Sequence, residues 1–307
     1  MYYTKPSAGV LDLVGSTPLL NIKWADGCSV YAKAEFLNPG GSVKDRVAKY
    51  IIEKAEETGE LRRGMAIVTA TSGNTGVGVT LVGCVKGYEV KVVMPESMSE
   101  ERKKIIRALG GELLLTPASE SLTGSVSKVR EMLENSDRLW NINQFDNPLN
   151  PQCHYETTAK EIWEQMEGRI DAVVAGVGSG GTLQGVGRFL KEQNPDIRVV
   201  AVEPEGHSAL LGQEPGLRRV HQIQGIGDGF IPPVLDPNLI DDVITVYDNE
   251  AITTTRGLAR SHGLLVGTSS GANVFGAVQM VKRFGPKARV VTILADRAER
   301  YFSTALI

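Results

Sequence analysis

Lys44 stands where a lysine is electrostatically poor. The run Asn38-Pro39-Gly40-Gly41-Ser42-Val43-Lys44-Asp45-Arg46 leads into a helical pattern. Ser42 reads as the N-cap, and Asp45, three residues on, gives a near capping box. Lys44 then falls in the first turn, at the positive end of the helix dipole. That position, together with partial burial, is expected to lower the pKa of its amine. An amine tuned in this way suits imine formation with an aldehyde. Taken alone, a lysine that extends into solvent and escapes the dipole is the better reading.

Three polar turns change that balance. Thr71-Ser72-Gly73-Asn74-Thr75-Gly76 sets hydroxyls, a carboxamide and backbone N–H groups at a helix start, a ready site for a carboxylate. Gly176-Val177-Gly178-Ser179-Gly180-Gly181-Thr182 lets the backbone approach a phosphate closely, with a helix dipole behind it. Gly267-Thr268-Ser269-Ser270-Gly271-Ala272 says no more by itself than N-cap. Gly176, Gly178 and Gly181 also satisfy G-x-G-x-x-G, with Glu203 available as a ribose-binding acid, so an NAD-binding Rossmann dehydrogenase is the alternative.

The elements that must position these turns read as an α/β pattern. Strand candidates are Ser29–Ala34, Ala66–Ala70, Val90–Met94, Glu112–Leu115, Ala172–Ala175, Val199–Glu203, Val243–Val246 and Val290–Leu294. Helical patterns at Val47–Thr58, Gly76–Lys86, Ser99–Leu109, Gly124–Asn135, Thr157–Gln165, Leu183–Gln193, Asn249–His262 and Ala272–Phe284 alternate with most of them. Near-continuous apolar strands between amphipathic helices imply parallel sheets covered on both faces. Ligands of such sheets bind beyond the carboxyl ends of the strands. A turn-rich seam runs through Asn143–Pro151, and Gly206–Pro237 is a long Gly/Pro-rich stretch of the kind that is usually functional.

The 307 residues suffice for two modest domains. A hydrophobic share of 42% with 22% charged residues is that of a water-soluble globular chain, and a net charge of −3 argues against a nucleic-acid binder. The basic cluster Arg102, Lys103, Lys104 and Arg107 reads as a solvated helix face behind Glu100 and Glu101. No apolar run is long enough to span a bilayer, and Met1 to Ser7 lack a signal-peptide pattern. Cys28, Cys84 and Cys153 make neither a disulfide framework nor a zinc motif, and the four histidines show no metal spacing. A cytoplasmic protein without a metal is expected.

In their order, these segments resemble the cysteine synthase (O-acetylserine sulfhydrylase) family of fold-type-II pyridoxal-phosphate enzymes, to which the cystathionine β-synthases are related. The resemblance runs from Gly15-Ser16-Thr17-Pro18-Leu19 through Ser42–Arg46, Thr71–Gly76, Asn143-Gln144-Phe145, Asn150-Pro151 with His154-Tyr155, and Gly225-Ile226-Gly227, to Glu299-Arg300-Tyr301 with Ser303-Thr304. It implies two open, twisted, mostly parallel sheets flanked by helices. Residues 39–146 would form a smaller mobile domain for the substrate carboxylate. Residues 1–38 with 147–307 would form a larger domain for the phosphate of pyridoxal 5′-phosphate.

The resemblance also implies roles by position. Lys44 would be the Schiff-base lysine and the group that moves the Cα proton. Asn74 would meet the ring 3′-oxygen, and Gly178, Ser179, Gly180, Gly181 and Thr182 would cradle the phosphate. Thr71, Ser72, Thr75 and Gln144 would clamp the substrate carboxylate. Ser269 would face the pyridine nitrogen. A hydroxyl there, unlike a carboxylate, does not keep that nitrogen protonated. The chemistry is thereby steered to β-elimination and β-replacement through an aminoacrylate, with O-acetylserine plus sulfide giving cysteine as the expected reaction. Asp296 and Tyr301 would lie near the cofactor edge. The partners implied are a small amino acid, sulfide or another small nucleophile, and a second copy of the chain in a homodimer. A non-catalytic scaffold of the same fold is weakened by the full set of cofactor contacts.

One position departs from the pattern. Gly227-Asp228-Gly229 carries an acid where a small neutral residue is usual. Asp228 facing the substrate would repel a sulfide anion, or act as a base that directs water, turning L-cysteine into L-serine and hydrogen sulfide. A turn aspartate serving local N–H groups is the plainer reading. Arg218 and Arg219 could read the phosphate of O-phosphoserine, against the plainer reading of two surface arginines.

Overall fold

The computed structural model describes residues 7–24, 27–71, 73–213, 221–304 and 306. In chain order its strands are β1 (Leu19–Lys23), β2 (Ser29–Ala34), β3 (Ala66–Ala70), β4 (Glu89–Pro95), β5 (Glu112–Thr116), β6 (Leu139–Asn141), β7 (Ala172–Gly176), β8 (Arg198–Pro204), β9 (Asp242–Val246) and β10 (Val290–Leu294). Its α-helices are α1 (Lys44–Thr58), α2 (Asn74–Val85), α3 (Glu100–Ala108), α4 (Ser121–Glu134), α5 (Leu149–Glu156), α6 (Thr158–Gln165), α7 (Gly181–Gln193), α8 (Asp248–His262) and α9 (Thr268–Phe284). Contacts divide the described residues into two units, one within Met1–Ser16 and Leu37–Asn143, the other within Thr17–Phe36 and Gln144–Ile307. Residues 7–16 group with the first unit, where Lys49 Nζ donates to the Leu11 carbonyl (3.0 Å) and the Gly15 N–H to Asn38 Oδ1 (2.9 Å).

The first unit is a four-stranded parallel sheet in the order β5-β4-β3-β6. Val68 and Val93 bury one face against Val129 of α4. The other face takes α2, whose residues are apolar nearly all round, as a helix buried on every side requires. Gly76 and Gly83 set it close. A methyl at Gly76 would lie 2.9 Å from Val92 Cγ1, and one at Gly83 would lie 2.5 Å from Val90 Cγ2.

The second unit is a six-stranded sheet in the order β1-β2-β10-β7-β8-β9, parallel except where β1 runs antiparallel to β2. Alternate residues feed opposite faces. Ala172, Val174, Val200 and Val202 join the core with α8 and α9, while Val173, Ala175, Val199 and Ala201 join the one with α6 and α7. Burial on both faces is why these strands read as unbroken apolar runs.

Three elements go beyond the sequence reading. β1 is a half-buried edge whose Leu-Leu-Asn-Ile-Lys alternates too weakly to register, and β6 has only three residues. α5 begins inside the turn-rich seam, with Pro151 in its first turn, where a missing N–H costs little. The basic cluster is the clear correction. Lys104 and Arg107 are exposed, but Arg102 and Lys103 of α3 are buried.

Candidate active site

In the first unit, Lys44 opens α1, half-buried. Ser42 accepts the Lys44 N–H through Oγ (3.3 Å), but the expected capping box is not formed. Gly41, at φ +82°, folds the chain so that the buried Asp45 carboxylate accepts the Gly40 N–H (2.6 Å) instead. The aspartate thus pins the Gly40-Gly41 turn ahead of Lys44 and does not close a cap.

The 71–76 turn leaves the carboxyl end of β3 and enters α2 at Asn74. Thr71 and Thr75 are buried and Asn74 is half-buried. Thr71 Oγ1 accepts the Gly73 N–H (3.0 Å), which holds the turn. Lys44 lies beside this helix start, because α1 and α2 meet backbone to backbone at Gly78. A methyl on Gly78 would sit 2.9 Å from the Lys44 carbonyl oxygen. Ser72 lies outside the described residues.

In the second unit, the 176–182 turn leaves β7 and enters α7 at Gly181. Gly180, the N-cap of α7, has φ +77° and no side chain of its own to cap the helix. A methyl on Gly178 would lie 2.3 Å from the Gly225 carbonyl oxygen, and one on Gly181 would lie 2.0 Å from Asn150 Oδ1. Both positions therefore require glycine. Asn150 Nδ2 donates to the Gln144 carbonyl (2.8 Å) and to Ser179 Oγ (3.1 Å), bringing Gln144 and the glycine turn together. Thr182 Oγ1 lies 3.2 Å from Nε2 of the buried His154.

Ser269 is buried in the first turn of α9. Below that turn, Asp296 and Tyr301 are hydrogen-bonded to each other, and both crowd Gly267. Thr268 Oγ1 accepts the Gln224 N–H (3.3 Å), the Gly227 N–H donates to the Val177 carbonyl (2.9 Å), and His221 Nε2 donates to the Gly227 carbonyl (3.0 Å). The 222–229 loop is thereby tied to both the glycine turn and α9. Gly225, Gly227 and Gly229 all have positive φ, and the loop carries Asp228 exposed between the last two. Burial pushes the His221 imidazole below its ordinary pKa, against the pull of the Gly227 carbonyl. Arg218 and Arg219 lie outside the described residues.

Asn150, Asn273 and His221 had no role assigned from sequence. Asn273 accepts the Gly176 N–H (2.7 Å) and donates to the Ile293 carbonyl (2.8 Å), bridging the ends of β7 and β10. Only the Asn150-Pro151 pair left a trace, as part of a motif. Glu203 is also otherwise engaged. It is buried, and it accepts the Ser208 hydroxyl and the Leu210 N–H (3.2 Å), so it anchors its own turn and not a ribose. Burial raises its pKa in spite of those donors.

A profile of the family described as pyridoxal-phosphate dependent enzyme matches residues 10–296. A cysteine synthase of Staphylococcus aureus (strain Mu50) is 45% identical over 306 residues, covering 98% of this chain and 97% of its own. The O-acetylserine-dependent cystathionine β-synthase of Helicobacter pylori superposes with a TM-score of 0.92 at 40% identity, covering 99% of each chain. A hydrogen sulfide-producing enzyme of Fusobacterium nucleatum superposes with a TM-score of 0.91 at 38% identity, covering 97% of this chain and 100% of its own. With two mostly parallel sheets and glycine turns at their strand ends, the chain belongs to the pyridoxal-phosphate-dependent enzymes, as a cysteine synthase-like member that carries out β-replacement with pyridoxal 5′-phosphate.

Proposed function

We propose that this enzyme makes L-cysteine from O-acetylserine and sulfide, with Lys44 as the residue that carries the cofactor. The observation that carries the reading is the Gly178–Gly181 turn. Neither Gly178 nor Gly181 has room for a methyl, and the N-cap of α7 is a glycine with no side chain to cap the helix, a close-packed turn at a helix start of the kind that suits an anion. Gly178, Ser179, Gly180, Gly181 and Thr182 would hold the phosphate, Asn74 the ring oxygen and Ser269 the pyridine nitrogen. When bound, the group supplies an electron sink that weakens Cα–H and the bond from Cβ to the leaving group.

The chain's own residues do the rest. Thr71, Ser72, Thr75 and Gln144 hold the substrate carboxylate and so orient Cα–H. Lys44 Nζ takes the Cα proton, acetate leaves Cβ with the bonding electron pair, sulfide adds at Cβ, and Lys44 returns a proton to Cα. The Ser269 hydroxyl does not stabilise a protonated ring nitrogen as a carboxylate would, which favours loss of the β-substituent over transamination. We further read the protein as a cytoplasmic homodimer. Its described cysteines form no disulfide, which suits a reducing compartment, and the dimer rests on family resemblance.

The test is to mix holoenzyme separately with O-acetylserine, O-phosphoserine, serine and cysteine and follow the visible band, then to assay cysteine formed with sulfide. Fastest response and turnover with O-acetylserine support the reading. Turnover of O-phosphoserine or serine in its place would reassign the substrate.

A second reading is favoured by Asp228, an exposed acid held out between two glycines of positive φ. In it the enzyme runs from L-cysteine and water to L-serine and hydrogen sulfide, and Asp228 takes a proton from the water that attacks Cβ. Sulfide release from cysteine that survives Asp228→Asn at full rate rules out that role.

A further inference from the structure

We infer that His154 is a positioning residue that turns the Thr182 hydroxyl toward the cofactor phosphate. This rests on reading the 178–182 turn as the phosphate cradle. The imidazole is fully buried and set between two hydroxyls. Nδ1 lies 2.9 Å from Oγ1 of the buried Thr158, and Nε2 lies 3.2 Å from Oγ1 of the half-buried Thr182. A close helix contact fixes the place of the ring. Thr182 and Gly185 stand three residues apart, on one face of α7. A methyl on Gly185 would lie 2.2 Å from the Pro151 carbonyl oxygen and 2.8 Å from His154 Cβ. Gly185 thus lets the backbone of α5 rest directly on α7, one turn along from the cradle.

Hydrogen-bond chemistry then sets the direction of the protons. A hydroxyl has one proton and two lone pairs, and a phosphate oxygen only accepts. A Thr182 that donated to Nε2 would turn its lone pairs on the phosphate and repel it. With the ring proton on Nε2, Thr182 accepts from His154 and keeps its own proton for a phosphate oxygen. Nδ1 then accepts the Thr158 O–H. Thr158, His154 and Thr182 form one line of donors aimed at the anion, in which each bond polarises the next. His154 acts through Thr182 and not as a direct ligand.

The test compares pyridoxal 5′-phosphate with pyridoxal, which lacks the phosphate, in fluorescence titrations of the full-length apoenzyme. His154→Gln sets an amide N–H at the reach of Nε2, and His154→Asn sets one only at the reach of Nδ1. His154→Asn is predicted to lower the preference for the phosphorylated ligand about tenfold, and His154→Gln to retain most of it. Thr182→Val, which removes the hydroxyl, is predicted to lower it as far as His154→Asn does, and the two together no further. A merely structural role for His154 would weaken both ligands alike and leave the preference unchanged. An unchanged preference in folded His154→Asn, or losses that add in the double variant, overturns the proposal. If His154→Asn does not fold, a preference kept by His154→Gln and lost by Thr182→Val supports the proposal, and any other pattern overturns it. A wild-type enzyme that binds the two ligands equally overturns the reading of the turn as a phosphate cradle, and this proposal with it.

Discussion

His221 donates through Nε2 to the carbonyl of Gly227 at 3.0 Å, one residue before Asp228. Its other ring nitrogen, Nδ1, is buried with no partner among the described residues, and His207 packs edge-on against the ring at 4.9 Å. One ring proton is thus committed to Nε2, and burial disfavours a second on Nδ1.

Acid should therefore loosen the loop that carries Asp228. Burial lowers the pKa of His221 below 6.5 in the folded chain, so the unfolded chain binds more protons just below that pH. The stability this residue contributes is complete above 6.5 and is lost as pH falls from there through the lower folded value. His221→Gln, which can still donate to Gly227, should flatten the acid side of a plot of Tm against pH. His221→Ala, which cannot donate, should cost about 1 kcal/mol at pH 7.5. An acid limb identical in wild type and His221→Gln would contradict this.

The phosphate cradle should not tolerate a methyl. Gly178→Ala sets Cβ 2.3 Å from the Gly225 carbonyl oxygen, and backbone must move to admit it. Cofactor affinity, measured by fluorescence titration of apoenzyme, should fall at least about tenfold. Gly9→Ala, where nothing lies within 4 Å, is the control and should bind the cofactor as wild type does.

A buried cation on β2 should matter to stability alone. Lys33 is fully buried, with Nζ on the Thr17 carbonyl (2.6 Å), Gln165 Oε1 (2.9 Å) and Glu161 Oε2 (2.7 Å). Lys33→Met should cost about 3 kcal/mol in urea denaturation, because a carboxylate is left without its cation. Adding Glu161→Gln should recover part of the loss. The visible band of the holoenzyme should be unchanged in both variants.

Much of this architecture is legible in the sequence because it depends on local rules. Unbroken apolar runs such as Val290–Leu294 mark strands buried on both faces, and the glycine turns after β3 and β7 stand where ligands of parallel sheets bind. Long-range partners were hidden for a physical reason. Asn273 braces Gly176 across 97 residues, and Asn150 braces Ser179 across 29, with no spacing rule to announce either. Arg102 was misread because residue type alone cannot distinguish a solvated arginine from one buried against Gly73. Asp45 met the rule for a capping box, yet the Gly40-Gly41 turn offered it a better-placed donor.

The most direct test is to reduce the holoenzyme with borohydride, digest it and locate the cofactor by mass spectrometry. The account predicts the reduced cofactor on the peptide that contains Lys44, and no covalently trapped cofactor in Lys44→Ala. Cofactor fixed to any other lysine, or retained covalently by Lys44→Ala, would contradict it.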